Sequence, residues 1–222
     1  KDFVKSREIF RNDFRRIIIA NKINDFNHQY DAKISLNPFP TKDVNKMLEI
    51  KREVRILSKL NHPYIVKFIG YSPVDFEGKN YPVIVTEYVT NGSLETLISK
   101  DIEGRAPKSW TPTKKLINIF GIASIMSYLH KNNINHRDLK PDNVLEDDYL
   151  FPKIADFGLS KEIHTNTDAK TTQSNGGPKG TISYMSPETF KHNKYSEATD
   201  VYSYAFIVYQ IVNRKKPYKT SS

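Results

Sequence analysis

The spacing of apolar residues changes from strand-like to helical after about residue 40. Apolar, largely β-branched runs at 17–19 and 30–36 predict strands, and the Asn- and Asp-rich segment 21–29 between them predicts a turn. From 44 to 60, apolar side chains recur at three- and four-residue steps, which is the period of one helix face. This helix is expected to end before Pro63, because the residue preceding a proline avoids helical backbone.

The rest of the chain predicts two more strands, at 65–71 and 81–89, followed mainly by helices. Thr111 before Pro112 is typical of an N-cap, and the apolar residues up to about 131 predict a buried helix. Another buried helix is predicted after Ser196. The positions expected to be buried are Leu116, Ile117, Phe120, Ala123, Ile125, Met126 and Leu129 in the first helix, and Val201, Ala205, Val208 and Val212 in the second.

The order of these elements predicts an α+β fold with two lobes. A β-rich N-lobe with one helix is expected over residues 1–90, and a larger helical C-lobe over residues 91–222. The 222 residues, 38% of them hydrophobic, can fill a sizeable core and are too apolar for a disordered chain. Cysteine is absent, which excludes disulfide scaffolds, thiolate zinc sites and cysteine nucleophiles.

Basic residues exceed acidic ones, with 34 Lys and Arg against 25 Asp and Glu, for a net charge of +9. Basic surfaces bind nucleic-acid phosphates, but no nucleic-acid-binding motif accompanies this charge, so nucleic acid is not an expected partner. No apolar run approaches the roughly 20 residues of a membrane helix, and residues 1–10 lack the apolar core of a signal peptide. A cytoplasmic protein without a membrane segment is expected, and its oligomeric state stays open.

Candidate chemistry is concentrated in an ordered set of motifs. His-Arg-Asp-Leu-Lys-Pro-Asp-Asn at 136–143 is followed by Asp-Phe-Gly at 156–158, Gly-Thr at 180–181 and Ser-Pro-Glu at 186–188. In order and spacing, this set resembles the eukaryotic protein kinase family, and the resemblance covers essentially the whole chain. It implies a protein-kinase-like fold, ATP and Mg²⁺ as cofactors, and protein substrates.

The resemblance implies a role for several C-lobe residues. Asp138 would accept the hydrogen of the substrate hydroxyl, and Lys140 would lie near the transferred phosphate. Asn143 and Asp156 would bind Mg²⁺ through oxygen atoms. The ordinary alternatives are a turn-capping Asp138 and a solvated Lys140. Lys140 and Thr181 favour Ser or Thr as the phosphate acceptor.

In the N-lobe, Lys33 and Glu53 match the lysine and glutamate whose ion pair holds the nucleotide phosphates, the alternative being two unrelated surface charges. Asp200 matches the aspartate that braces the catalytic loop. Thr86 and the turn at 91–94 favour the tyrosine-kinase-like branch of Ser/Thr kinases. The other nucleotide-contacting residues implied are Ile17, Thr86 as gatekeeper, Glu87 and Val89 through the hinge backbone, and Leu145.

The chain departs from the family pattern in the N-lobe. Phe10, Asn12 and Arg15 occupy positions of the glycine-rich loop, where glycine lets backbone amides approach phosphate. Asp31 replaces the small residue that contacts adenine. Arg15 or Arg16 could compensate by binding phosphate. These departures favour an alternative, a pseudokinase acting as a protein-interaction scaffold with weak or no ATP turnover.

Two further expectations concern the C-lobe. Arg137 precedes Asp138 and would pair with a phosphate on the loop 156–188, with Thr171, Thr172 and Ser174 as the candidate sites. The chain stops soon after the second buried helix, so the C-lobe is expected to be truncated.

Overall fold

The structure is a computed structural model that describes residues 2–38, 44–163, 172–173 and 177–218. Contacts divide the chain into two compact units. The first unit is Lys1–Asn61 with Val66–Val89, and the second is His62–Ile65 with Thr90–Ser222. Strands dominate the first and helices the second, which confirms the predicted α+β class.

The first unit is a five-stranded antiparallel sheet, in the order β1-β2-β3-β5-β4, with one helix. One face of the sheet is an apolar core. Side chains alternate between the two faces of a strand, so the residues between these core positions point to the opposite face of the sheet. The elements are β1 (Phe3–Arg11), β2 (Arg15–Lys22), β3 (Asp25–Ser35), α1 (Val44–Lys59), β4 (Phe68–Ser72) and β5 (Val83–Glu87).

The helix predicted at 44–60 is confirmed as α1, whereas the turn predicted at 21–29 is shorter than expected, since it covers only residues 23–24. Only two residues separate β2 from β3. The buried Asn21 side chain donates to the carbonyl oxygens of Phe26 (3.1 Å) and His28 (3.2 Å). Its amide therefore bonds across the hairpin, and the strands extend through residues whose local preference is for turns.

The second unit contains four helices and six short strands among its described residues. The predicted strand at 65–71 starts late, because Ile65 makes only an isolated bridge to Ile154 and β4 begins at Phe68. The helices are α2 (Leu94–Ile102), α3 (Pro112–Lys131), α4 (Pro187–His192) and α5 (Glu197–Asn213). The strands are β6 (Ile134–Asn135), β7 (Val144–Glu146), β8 (Pro152–Ile154), β9 (Lys161–Glu162), β10 (Thr172–Gln173) and β11 (Lys194–Tyr195).

Side-chain caps fix the starts of three helices, α2, α3 and α4. The Thr111 hydroxyl accepts a hydrogen bond from the backbone N–H of Lys114, which confirms the predicted cap of α3. Ser93 caps α2 in the same way through the N–H of Thr96. Ser196 lies at the N-cap of α5 but makes no cap hydrogen bond through its side chain. No helix in the described ranges is long and apolar enough to cross a membrane.

The buried faces of α3 and α5 differ from the prediction. In α3, Ile125, Met126 and Leu129 are buried as expected, but Leu116 and Phe120 are exposed. In α5, none of the four predicted positions is buried: Val201, Ala205 and Val212 are exposed and Val208 is half-buried. The buried residues of α5 are Thr199, Asp200, Ser203, Ile207, Gln210 and Ile211.

Two of the buried polar side chains of α5 hydrogen-bond to Tyr184. Ser203 donates to the backbone oxygen of Tyr184 (2.8 Å), and the Gln210 amide donates to the Tyr184 hydroxyl (2.7 Å). A buried polar group is stable only when its hydrogen bonds are made. The buried face of α5 therefore combines Ile207 and Ile211 with polar side chains that have specific partners.

Glu146 is a fully buried acid at the end of β7. The side-chain amide of Asn118 donates to its Oε2 over a long 3.4 Å, and its Oε1 makes no hydrogen bond within the described chain. Burial raises the pKa of Glu146 from its ordinary 4.5 to about 8. Glu146 is therefore neutral in the folded chain at pH 7.

The raised pKa of Glu146 makes stability depend on pH. Between about pH 4.5 and pH 8 the folded state keeps a proton that the unfolded state releases, so the free energy of unfolding falls as the pH rises through this window. Glu146→Gln removes this ionisation, and the variant is expected to exceed the parent in stability by about 2–4 kcal/mol at pH 7.5.

Urea denaturation at several pH values from 5 to 8 measures the difference. The exposed Glu197→Gln serves as control and is expected to follow the parent. Parallel pH curves for Glu146→Gln and the parent would contradict a neutral Glu146.

Candidate functional site

Lys33 and Glu53 form an ion pair in the first unit. The Lys33 Nζ on β3 lies 2.6 Å from the Glu53 Oε1 on α1, and Glu53 is only 6% exposed. A buried carboxylate requires such a partner, because desolvation without one is costly. The predicted pair is confirmed, and the Glu53 carboxylate holds the lysine ammonium in a fixed place.

Several predicted residues share the sheet face of Lys33. Ile17 is the direct partner of Lys33 in the β2–β3 register, and Thr86 is the direct partner of Asp31 in the β3–β5 register. Directly paired residues of an antiparallel sheet point to the same side, and Asp31 and Lys33 are two apart on one strand. The first unit thus brings Ile17, Asp31, Lys33 and Thr86 together on one face.

The predicted hinge residues end the first unit. The Glu87 N–H donates to the Lys67 carbonyl (2.9 Å), and the Glu87 carboxylate accepts from the Lys67 N–H (2.8 Å). A backbone donor to a base edge would therefore come from a residue after Glu87, such as the buried Val89. Leu145 belongs to the second unit, where it is half-buried on β7 and bridges to Ser93.

In the turn between β1 and β2, backbone N–H groups donate hydrogen bonds to a side chain of the same turn. The Asn12 Oδ1 accepts hydrogen bonds from the N–H groups of Phe14 (3.0 Å) and Arg15 (2.9 Å). The Arg15 guanidinium lies over the Phe10 ring, 5.7 Å from its centre. The positions that would be glycines in the family therefore form a self-bonded turn, in which the Asn12 oxygen lies where an anion could accept.

Arg16 is not available to a phosphate, contrary to one expectation. Its guanidinium is nearly buried and lies 3.1 Å from the Asp75 Oδ2. The other Asp75 oxygen accepts from two amides of its loop, those of Glu77 and Lys79. Arg16 thus joins β2 to the loop between β4 and β5, and this structural role explains its burial.

In the second unit, three residues hold the Asp138 carboxylate. Thr181 donates to the Asp138 Oδ1 through its backbone N–H (2.9 Å) and its hydroxyl (2.8 Å). The Asn143 amide donates to Oδ2 (3.1 Å), and the Lys140 Nζ lies 3.4 Å from the same oxygen. Lys140 also donates to the Thr181 hydroxyl (2.7 Å). Both side chains thus have specific partners within the described part of the chain, which favours the predicted roles over a turn-capping Asp138 and a solvated Lys140.

Asp200 holds the backbone that precedes Asp138. Its two carboxylate oxygens accept from the N–H groups of His136 and Arg137, each at 2.8 Å, and His130 lies 3.0 Å away. Arg137 has a φ of +71°, a conformation that is strained for a residue with a side chain. The Asp200 bonds compensate this strain, so the predicted bracing role of Asp200 is confirmed.

Gly180 allows Thr181 to approach Asp138. Its φ is +128°, and a Cβ at this position would lie 3.0 Å from the Arg137 carbonyl oxygen. Both restrictions exclude an ordinary side chain. The backbone of the catalytic loop and the segment before Thr181 are therefore in direct contact.

Tyr195 fixes the same segment, and the sequence analysis missed it. Its hydroxyl accepts from the Lys179 N–H (2.6 Å) and donates to the Lys179 carbonyl (2.8 Å). The Arg137 guanidinium stacks on its ring at 3.7 Å. No local pattern marks this tyrosine, because its contacts come from residues that are distant in sequence.

The β7–β8 hairpin brings Asn143 and Asp156 to one end. Asn143 directly precedes β7, Asp156 follows β8 by two residues, and the Ala155 N–H donates to the Asn143 carbonyl (2.8 Å). The Asn143 amide nitrogen donates to the backbone and carboxylate oxygens of Asp138, so the amide oxygen is the atom that would bind a metal ion. Amide and carboxylate oxygens fit Mg²⁺. The described ranges contain no cluster of three or more His, Cys, Asp or Glu suited to a metal.

The side chains of the predicted phosphorylation sites are not among those that the structure describes. Thr171 and Ser174 lie outside the described residues, and only the backbone of Thr172 is described, as part of β10. The pairing of β10 with β11 places Thr172 opposite Tyr195. Phosphorylation in this loop therefore stays a prediction.

Comparison with known proteins agrees with the motifs. Over 221 residues the chain is 35% identical to a "probable serine/threonine-protein kinase" of Dictyostelium discoideum, covering 98% of this chain and 15% of that protein. It is 36% identical over 214 residues to "probable serine/threonine-protein kinase drkD" of the same organism, covering 95% and 14%. It is 33% identical over 218 residues to "cysteine-rich receptor-like protein kinase 10" of Arabidopsis thaliana, covering 97% and 30%.

The chain thus spans less than a third of the length of each of these relatives. A family model described as "Protein kinase domain" matches residues 26–222, which include Lys33, Glu53, Asp138, Asn143 and Asp156. Together with the ordered motifs and the bonded catalytic loop, this match shows that the chain belongs to the protein kinase family.

Proposed function

We propose that this chain is the catalytic domain of a serine/threonine-protein kinase, which transfers the γ-phosphate of ATP to Ser or Thr hydroxyls of protein substrates. The observation that carries the proposal is the oriented Asp138 carboxylate, with Thr181, Asn143 and Lys140 around it. Phosphoryl transfer requires positioning and neutralisation of charge more than covalent chemistry. A fixed carboxylate with an adjacent lysine supplies both.

Each residue of this network has a role in the proposed transfer. Asp138 accepts the hydrogen of the substrate hydroxyl. Lys140 neutralises charge that develops on the transferred phosphate, and Thr181 keeps Asp138 and Lys140 in register. Asn143 and Asp156 hold Mg²⁺, which neutralises the phosphate oxygens when bound.

The first unit supplies the nucleotide contacts in this proposal. Lys33, held by Glu53, binds the phosphates, and Ile17, Thr86 and Val89 contact the base, with the hinge backbone at Glu87 to Val89. The same proposal includes the division into an N-lobe at 1–90 and a C-lobe at 91–222. It also includes a cytoplasmic location and membership of the tyrosine-kinase-like branch.

The scaffold alternative has no support in the comparisons, because the relatives compared carry kinase names. The retained residues also argue against it. Lys33, Glu53, Asp138, Asn143 and Asp156 all have specific surroundings, and a chain released from catalysis has no need of all five.

Asp138→Asn in the full-length protein tests the proposed base. The amide cannot accept the hydroxyl proton, so phosphate transfer is expected to fall at least about 100-fold, while the dissociation constant of Mg·ATP and the melting temperature stay close to the parent values. Asp156→Asn is expected to weaken Mg·ATP binding as well.

Asp142→Asn is the matched control, since Asp142 lies in the same loop but is exposed, and it is expected to keep parent activity. A Mg²⁺-dependent assay with radiolabelled ATP gives the rates. Equal rates for Asp138→Asn and the parent would contradict the assignment of Asp138.

Thr181→Val tests the bridge between Lys140 and Asp138. The variant keeps the backbone N–H and the branched shape but loses the hydroxyl, which bonds to two charged groups. Losing such a bond costs about 1.5–3 kcal/mol, so kcat is expected to fall about 10- to 100-fold with little change in the KM for ATP. Thr181→Ser restores the hydroxyl and should restore most of the rate. A Thr181→Val enzyme with parental kcat would show that the bridge does not contribute.

A further inference from the structure

Asp31 lies on the sheet face that carries Lys33, and one of its carboxylate oxygens has no hydrogen-bond partner among the described residues. It occupies the middle of β3, and its Oδ1 is buried with no hydrogen bond to any described residue. Asp31 as a whole is half-buried, whereas the fully buried acids of the first unit have cationic partners: Glu53 binds Lys33 and Asp75 binds Arg16. The lack of a partner distinguishes Asp31 and requires an explanation.

The neighbours of Asp31 do not stabilise a negative charge. Its direct partners are Ile19 on β2 and Thr86 on β5, neither of which is charged. The register places further charged groups on this face, namely Arg7 on β1 and Arg15 on β2, in addition to Lys33 on β3. Lys33 binds Glu53 of α1 in the 2.6 Å ion pair, and none of these groups hydrogen-bonds the Asp31 Oδ1. Burial alone raises the pKa of Asp31 from 3.8 to about 7.

A nucleotide bound at Lys33 would disfavour the charge further. Residues two apart on a strand are separated by about 6.6 Å, so phosphates at Lys33 bring negative charge close to Asp31. A base on the same face also excludes water from the carboxyl. Both effects favour the neutral form of an acid, and a neutral carboxyl has an O–H that can donate to the ligand.

Building on the proposed kinase function, we propose that Asp31 takes up a proton from solvent when the chain binds nucleotide, and that the neutral carboxyl contacts the bound nucleotide. No covalent bond is made or broken. Asp31 is then a specificity-determining residue that couples nucleotide affinity to pH. Above about pH 7, where the free chain holds Asp31 ionised, the affinity falls by up to about tenfold for each pH unit.

Isothermal titration of Mg·ATP into the full-length protein tests this coupling. Saturating Mg²⁺, a pH series from 6 to 9, and two buffers of different ionisation enthalpy together give the affinity and the number of protons taken up. The parent is expected to take up close to one proton at pH 8 and to lose affinity as the pH rises. Asp31→Asn, which mimics the neutral acid, is expected to take up none and to bind about tenfold more tightly than the parent at pH 8.

Asp25→Asn is the matched control. Asp25 lies on the same strand, but its carboxylate is partly exposed and bonds to His28, so this variant should follow the parent. Asp31→Ala serves as a second variant and should also lose the pH dependence. The titration of ATP itself is common to all the variants and cancels in the comparison.

The results distinguish failure of the role proposed for Asp31 from failure of the proposed kinase function. If the parent and both Asp31 variants bind Mg·ATP with the same affinity and pH dependence, the role of Asp31 is overturned and the proposed function stands. If none of them binds Mg·ATP at any pH, the proposed function fails and the inference fails with it.

Discussion

The second unit depends on one buried carboxylate, that of Asp200. Its two oxygens accept from consecutive backbone amides, and this pairing holds Arg137 in a left-handed conformation that it would not adopt alone. The strained backbone determines the direction in which the next residue, Asp138, projects. Thr181, Asn143 and Lys140 could not meet the Asp138 carboxylate without this anchor. The geometry of the catalytic loop is thus stabilised from the start of α5.

The acidic side chains removed from solvent in this chain fall into two groups, which differ in whether a hydrogen-bond donor or cation compensates their desolvation. Glu53, Asp75 and Asp200 each accept hydrogen bonds from a cation or from backbone N–H groups, which compensate their desolvation. Asp31 and Glu146 lack such compensation, and burial raises the pKa of both to near neutrality or above. Asp31 and Glu146 therefore exchange protons within the range of pH in which cells operate.

The sequence predicts much of the fold and much of the candidate site. Helical periodicity located α1 and α3, and the ordered motifs located Asp138, Asn143 and Asp156, because these signals are local. The wrong predictions have non-local causes. Val201 and Val212 follow an apolar pattern but are exposed, whereas Ser203 and Gln210 are buried and hydrogen-bond to Tyr184, which is distant in sequence. The role of Tyr195 could not be predicted either, because its partners lie 16 and 58 residues away in the sequence.

The departures from the family pattern lie in the first unit, and their effect follows from the bonds that they make. A glycine turn offers amide donors that only water satisfies, so a phosphate gains each bond. Here the Asn12 oxygen already accepts from two of these amides, and a phosphate could bond to them only by displacing it. Exchanging one acceptor for another yields little net free energy. We therefore infer that phosphate affinity in the first unit depends on Lys33, held by Glu53, more than on the β1–β2 turn.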